Sequence, residues 1–252
     1  MSGYSDFASF YDRLTGDVGY PERAAYLAAL LAEHGVPAGT VLDLACGTGS
    51  LTLELSKRGY EMIGVDASPD MLCAAREKCL RAGADVLFLC QPMEQLDLYG
   101  TVNAAVCTLD SLNHITEPDV LREVFRRVSL FLEPGGVFVF DVNTPYKHRE
   151  VLGDNPFVYD LEGLYCVWQN AYDPQDDTVE ILLDFFEERE DGSYLRYGEQ
   201  FTERAYSHEA ICAFLEVAGL TLLGCFEEMA RTPPQKETQR AVYIVKKERI
   251  QR

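Results

Sequence analysis

One stretch constrains this chain more than any other: VLDLACGTGS, residues 41–50. Val41, Leu42 and Leu44 form a short apolar run of strand formers, Gly47 and Gly49 interrupt it, and SLTLELSKR then resumes with helical character. Strand, glycine turn and helix in that order aim unpaired backbone N–H groups and the positive end of a helix dipole at one spot, and glycine lets a ligand approach the main chain closely. Taken alone the turn has a second reading, because a tight strand-to-helix connection needs glycine for steric reasons. The next segment favours a ligand. Tyr60 to Val65 (YEMIGV) reads as a second strand ending in Asp66, about twenty residues beyond the turn, where a carboxylate accepts both hydroxyls of an adenosine ribose. Ala45, Cys46, Gly47, Gly49 and Asp66 are therefore the first candidates for an adenosine site.

A dinucleotide fingerprint requires Gly-x-Gly-x-x-Gly. Here the first glycine position is Ala45 and the third falls on Leu51 or Thr52, so the close pyrophosphate crossing is not provided and a ligand without phosphates fits better. DLACGTGS, together with GVDASPDML at residues 64–72, resembles motif I and the following acidic motif of class I S-adenosylmethionine-dependent methyltransferases. The resemblance covers nearly the whole chain and is nearest to small-molecule members with an inserted antiparallel sheet, such as the aminosugar N-methyltransferases. It implies an α/β fold with a doubly wound, mostly parallel seven-stranded sheet (Rossmann-like methyltransferase fold) and a small antiparallel β insertion. It also implies S-adenosyl-L-methionine as cofactor, leaving as S-adenosyl-L-homocysteine. By the same resemblance Asp43, Ala67 and Leu109 border the cofactor, and an N-terminal Tyr-Asp segment folds over it as a lid, which brings Tyr11 and Tyr20 into the candidate set. Met71 occupies a position where relatives place an apolar residue under the adenine, although an ordinary core role accounts for it equally. Where related sequences often carry Gln-Asp-Met, with the aspartate serving the adenine amino group, this chain has Gln91-Pro92-Met93. The proline removes that carboxylate and leaves Gln91, Glu94 or backbone atoms near Met93 in its place.

A length of 252 residues, 47% of them hydrophobic, suits one α/β domain with a modest insertion. The formal net charge of -19 repels polyanions, which argues against a nucleic-acid acceptor. No segment approaches the length of a membrane span, and MSGYSDFASFYDR at the start has neither a basic head nor an apolar signal core. The expectation is a cytoplasmic protein, a monomer or a homodimer, with no membrane partner. Eight cysteines without a Cys-x-x-Cys pair, most of them within apolar patterns, point away from disulfides and structural zinc, and no metal is expected.

In chain order, Phe7, Phe10, Tyr11 and Leu14 mark one face of a short helix, and a second helix runs from about Pro21 to His34. Ser68-Pro69-Asp70 opens a helix reaching Gly83, and Asp85 to Cys90 is the third strand. Thr101 to Leu109 is the fourth, and the loop after it carries Asp110 and His114. In an open parallel sheet that loop lies beside the ligand crevice. His114, Asp110 and Tyr11 are the candidate proton acceptors, each with a plain structural alternative: a loop histidine, a turn cap, a packed ring. An amphipathic helix with Leu121, Val124, Phe125, Val128 and Leu132 on one stripe ends at Pro134-Gly135-Gly136, and Val137 to Val142 is the fifth strand.

Residues 146–206 differ in character: β-rich, aromatic runs with a hairpin signal at Asp191-Gly192. They read as an inserted antiparallel substrate cap on a core of residues 1–145 and 207–252. Glu180, Asp184, Glu199 and Glu203 lie within it; an outer, solvated face suits most of these carboxylates, and any that turn inward suit a cationic amine. A final helix capped by Ser207 and two terminal strands complete the core, with MARTPPQKETQR between them expected as a mobile loop. Methyl transfer to a small-molecule amine or hydroxyl is the leading expectation. The alternatives are a noncatalytic cofactor-binding relative and, disfavoured by the glycine pattern, a nicotinamide-dependent oxidoreductase.

Overall fold

A computed structural model describes residues 10–248. Its central strands alternate between two apolar layers, and that alternation fixes the architecture. Strands β1 (Thr40–Leu44), β2 (Glu61–Asp66), β3 (Leu87–Cys90), β4 (Val102–Cys107), β5 (Leu132–Asn143), β10 (Leu220–Glu227) and β11 (Arg240–Lys247) form one sheet in the order β10-β11-β5-β4-β1-β2-β3. The first five are mutually parallel, and β11 runs antiparallel to both β5 and β10. The seven-stranded, mostly parallel sheet is as expected, with the terminal strands as its antiparallel edge. Winding reverses between β1 and β4, and such a reversal opens a ligand crevice at the carboxyl ends of the strands.

Within β5, Phe138 and Phe140 face one layer while Val137 and Val139 face the other, all fully buried. The first layer takes Leu121, Val124 and Phe125 of helix α4 (Pro118–Phe131) and Ile211 and Leu215 of helix α5 (His208–Val217). The second takes Leu27, Leu30 and Leu31 of α1 (Tyr20–Glu33) and Leu51 and Leu55 of α2 (Ser50–Ser56). Each such side chain contributes roughly 1.5–3 kcal/mol through burial. Helix α3 (Pro69–Ala82) opens as read, with Ser68 Oγ accepting from the Met71 amide, and closes on left-handed Gly83. One boundary differs: β5 begins at Leu132, so Pro134-Gly135-Gly136 lies inside the strand, where the ladder with β4 shifts register. A proline without an amide proton is tolerated at such an irregularity.

The insertion is a separate antiparallel sheet of β6 (Phe157–Leu161), β7 (Leu164–Asp173), β8 (Thr178–Glu188) and β9 (Tyr194–Arg204). Val179, Ile181, Leu183 and Phe185 alternate inward along β8, and the β8–β9 turn contains left-handed Gly192 as the hairpin signal requires. Phe10 completes this core, its ring centroid 5.3 Å from Phe185 and 5.2 Å from Tyr197. Phe7, expected beside it, lies outside the described residues. The segment read as a mobile loop is instead pinned: Tyr26 Oη donates to the Ala230 carbonyl at 2.8 Å, Thr144 Oγ1 to that of Thr238 at 2.6 Å, and Thr238 Oγ1 to Glu227 at 2.7 Å. Its anchors are polar, so it shows no apolar period. Cys46, Cys79, Cys107 and Cys166 are buried, whereas Cys73 and Cys90 are exposed; all eight thiols are free. Among the described residues no helix is long and apolar enough to cross a membrane.

Candidate active site

Backbone strain marks the crevice. Of the non-glycine residues described with positive φ, Ala45 (59°) follows β1, and Leu109 (58°) and Asp110 (56°) follow β4. These strands are neighbours at the winding reversal, and strain of this kind clusters at functional sites. Gly47 and Gly49 are also left-handed, but for different reasons. A methyl group on Gly49 would stand 2.9 Å from Ala75 Cβ, so this glycine lets α2 pack on α3. A methyl group on Gly47 would stand 3.9 Å from Tyr11 Cε1, ordinary contact distance, so this glycine lies under a tyrosine ring.

Asp66, at the end of β2, ties the turn together. Its Oδ2 accepts from the Gly47 amide and its Oδ1 from the Ser68 amide, both at 2.8 Å. Burial raises its pKa, opposed by those two amides and by the charge of His114. Each carboxylate oxygen retains a further lone pair for a ligand hydroxyl. Asp43, 2% exposed, lies behind the turn and accepts from Thr52 Oγ1; burial pushes its pKa up to about 7. The buried Cys46 thiol is raised well above its ordinary value, by burial first.

The Tyr-Asp segment is tied to the glycine turn. Asp12 Oδ1 accepts from Thr48 Oγ1 at 2.6 Å and from Lys78 Nζ at 2.9 Å, latching this segment to the start of α2 while Phe10 anchors it in the insert. Tyr11 between them is raised well above the ordinary phenol pKa by burial, then by Tyr20 and Asp110, and Tyr20 is raised by burial. Neither is a ready base at neutral pH. On the opposite wall Met71 is buried in the first turn of α3, with Ala67 exposed before it. The Gln91 side chain closes on the Asp97 backbone, donating to its carbonyl at 3.1 Å and accepting from its amide at 3.0 Å. Pro92 and Met93 beside it are half-buried.

The loop after β4 rests on residues that sequence reasoning did not single out. Buried Asp141 on β5 accepts from the Leu109 amide at 3.0 Å and the Asp110 amide at 2.8 Å, holding both in the left-handed region. Asp110 accepts from Asn143 Nδ2 at 2.6 Å and pairs with Arg240 at 3.0 Å. Burial raises its pKa, but Arg240, Lys147 and His114 outweigh that and bring it to about 2, so Asp110 is a structural anion and a poor base. Arg240 also reaches Glu228 at 2.9 Å, and Arg23 of α1 joins the same network through Glu228 at 2.5 Å. His114 remains as the base candidate, with its side chain 45% exposed and its ring centroid 4.9 Å from that of Phe201 on β9.

Of the four acidic residues singled out along the insert, Glu203 alone is buried. Alternation was the signal available: Leu195, Tyr197, Glu199, Phe201 and Glu203 share one face of β9, and all but Glu203 are half-buried. Glu203 approaches His114 Nε2 at 3.7 Å and His148 Nε2 at 3.5 Å. Tyr11, Asp66, Asp110 and His114 are thus close enough for their charges to act on one another, and Glu203 at the end of β9 stands between His114 and the buried His148.

Residues 41–136 match the family model described as a methyltransferase domain. The chain is 30% identical to YqeM of Bacillus subtilis over 97% of each chain, a protein whose name assigns it provisionally to the methyltransferases. It is 35% identical to a S-adenosylmethionine-dependent methyltransferase from Clostridium acetobutylicum, whose crystal structure matches with a TM-score of 0.88 over 97% of this chain and 99% of that one. The fold is also that of the sugar N-methyltransferase KedS8 from Streptoalloteichus (20% identity, TM-score 0.76, covering 95% of this chain and 93% of that one). With a glycine turn that lacks the dinucleotide pattern, and full-length similarity to a cofactor-dependent enzyme, this chain belongs to the S-adenosylmethionine-dependent methyltransferases.

Proposed function

We propose that this protein transfers the methyl group to a small-molecule acceptor, an amine in preference to a hydroxyl. The observation that carries the reading is Glu203: the insert sends a buried carboxylate to the end of the crevice, beside an imidazole and an aromatic ring. Such a site favours a cation. The net charge of -19 points the same way, since polyanionic acceptors are repelled. The sugar N-methyltransferase fold is compatible but says nothing of this chain's acceptor.

Bound S-adenosylmethionine supplies a methyl group already activated on a sulfonium. In this reading Asp66 takes the ribose hydroxyls, and the backbone of Ala45, Cys46 and Gly47 meets the amino-acid end, with Asp43 as a charge behind it. Ala67, Met71 and the Gln91-Pro92-Met93 edge enclose the adenine, where Pro92 leaves backbone groups to meet its amino group. Leu109, Tyr11 and Tyr20 exclude water around the reacting centre, with residues 146–206 as the roof over the acceptor. The protein's work is alignment and desolvation, since an in-line displacement needs the nucleophile held within about 3–3.5 Å of the carbon. Incubating the protein with methyl-labelled S-adenosylmethionine and a metabolite extract should label a small amine. Label in RNA or protein, with no small product, would overturn the acceptor class.

A further inference from the structure

The end of the crevice holds a cluster that methyl transfer alone does not require. His148, on the helical turn Lys147–Leu152 after β5, is fully buried, and neither of its ring nitrogens has a hydrogen-bond partner among the described residues. Buried polar atoms are rarely left so. Glu203 Oε2 lies 3.5 Å from His148 Nε2. The same oxygen accepts from Asn143 Nδ2 at 3.3 Å, while Oε1 faces His114 Nε2 at 3.7 Å. Lys147 lends a further positive field to Glu203, and it donates to Asn143 Oδ1 at 2.9 Å. Glu203 is thus held on one side by buried groups and presents its other oxygen to the one exposed imidazole in the crevice. Phe201, two residues earlier on the same strand, lies against that imidazole.

We infer that Glu203 is the positioning residue of a carboxylate–imidazole pair in which His114 is the proton acceptor for a cationic amine substrate. This rests on the methyl-transfer reading above. In this pair the Nε2–H of His114 serves Glu203, 3.7 Å away, and the lone pair on Nδ1 is the acceptor, in a site close enough to Asp66 for the charge of His114 to act on it. An incoming ammonium gives its proton to Nδ1 and its nitrogen regains a lone pair. That nitrogen then bonds to the methyl carbon as the carbon–sulfur bond breaks, the sulfur of the sulfonium donor keeping the electron pair. The product is a methylated ammonium, and His114, an imidazolium stabilised by Glu203, returns its proton to water. The carboxylate does not touch the acceptor; it fixes the tautomer and orientation of the group that does.

The test needs no identified acceptor. The chain has four histidines, so nitrogen-15 labelling of histidine with one His→Gln variant for each gives an assigned imidazole spectrum of the full chain. At about pH 8.5, well above the ordinary imidazole range, His114 should be the Nε2–H tautomer in the wild type. Glu203→Gln, whose amide can donate as well as accept, should abolish that single-tautomer signature. Glu203→Asp, which keeps the charge one methylene further back, should recover at least half of it and serves if the glutamine variant does not fold. A wild-type His114 in the Nδ1–H form, or a tautomer indifferent to both substitutions, would overturn the pairing. Titrating wild-type protein with S-adenosylhomocysteine tests the methyl-transfer reading separately: absence of binding sinks that reading and leaves the tautomer result standing on its own.

Discussion

Asp43 offers a sharp test, because its carboxylate is buried and the cost of ionising it there depends on pH. It is 2% exposed and accepts from Thr52, and burial raises its pKa from the ordinary 3.8 to about 7. Between those values the native protein binds a proton that the unfolded chain does not, so stability falls as pH rises through the interval. With one pH step worth about 1.4 kcal/mol, the two values give a loss of roughly 2–3 kcal/mol between about pH 5 and pH 8 from this group alone. Asp43→Asn keeps the size and the acceptor for Thr52 but cannot ionise. Any constant cost of its amide cancels when the same variant is compared at the two pH values. Urea unfolding of both proteins should therefore show the wild type losing about 2–3 kcal/mol more than the variant over that range. Parallel pH dependences would refute the claim that Asp43 folds against its own charge.

Asp66→Asn should weaken S-adenosylhomocysteine binding by about 2 kcal/mol or more, some thirtyfold, since a ribose loses charge-assisted bonds to the carboxylate; calorimetry showing an unchanged Kd in folded variant would exclude that role. Asp141→Ala leaves Arg240 short of one buried partner and releases the Leu109 and Asp110 amides, so chemical denaturation should record a loss of about 3–5 kcal/mol. A loss under about 1 kcal/mol would show that Arg240 is satisfied without it. Gly49→Ala meets both a left-handed backbone and Ala75 at 2.9 Å, and should destabilise by at least about 1–2 kcal/mol by the same measurement; a neutral result would mean α2 and α3 move apart freely.

Much of the architecture was legible because it depends on periodicity and punctuation. The turn at Gly47 and Gly49, the strand ending at Asp66, the Ser68 cap and the alternating β8 are local patterns, and local patterns survive folding. A lid role for Tyr11-Asp12 is an expectation from resemblance alone, and nothing in those two residues says that Phe10 will seat in an insert well over a hundred residues away. What stayed hidden was long-range and polar. Arg23, Asp141, Asn143, Glu228 and Arg240 come from four separate stretches and are brought together where β11 pairs with β5. Glu203 could be placed inward by counting along β9, but its partner His148 sits on a turn with no recognisable period. Pro134-Gly135-Gly136 misled because a helix stop and a strand irregularity look alike in sequence.

The central claim is that the crevice between β1 and β4 holds S-adenosylmethionine and not a dinucleotide. Calorimetry on the wild-type protein with S-adenosylhomocysteine, NAD and NADP decides it directly. The account predicts one site per chain for S-adenosylhomocysteine, no heat from either dinucleotide, and competition by S-adenosylmethionine for the same site. Saturable binding of NAD or NADP with no response to S-adenosylhomocysteine would contradict it.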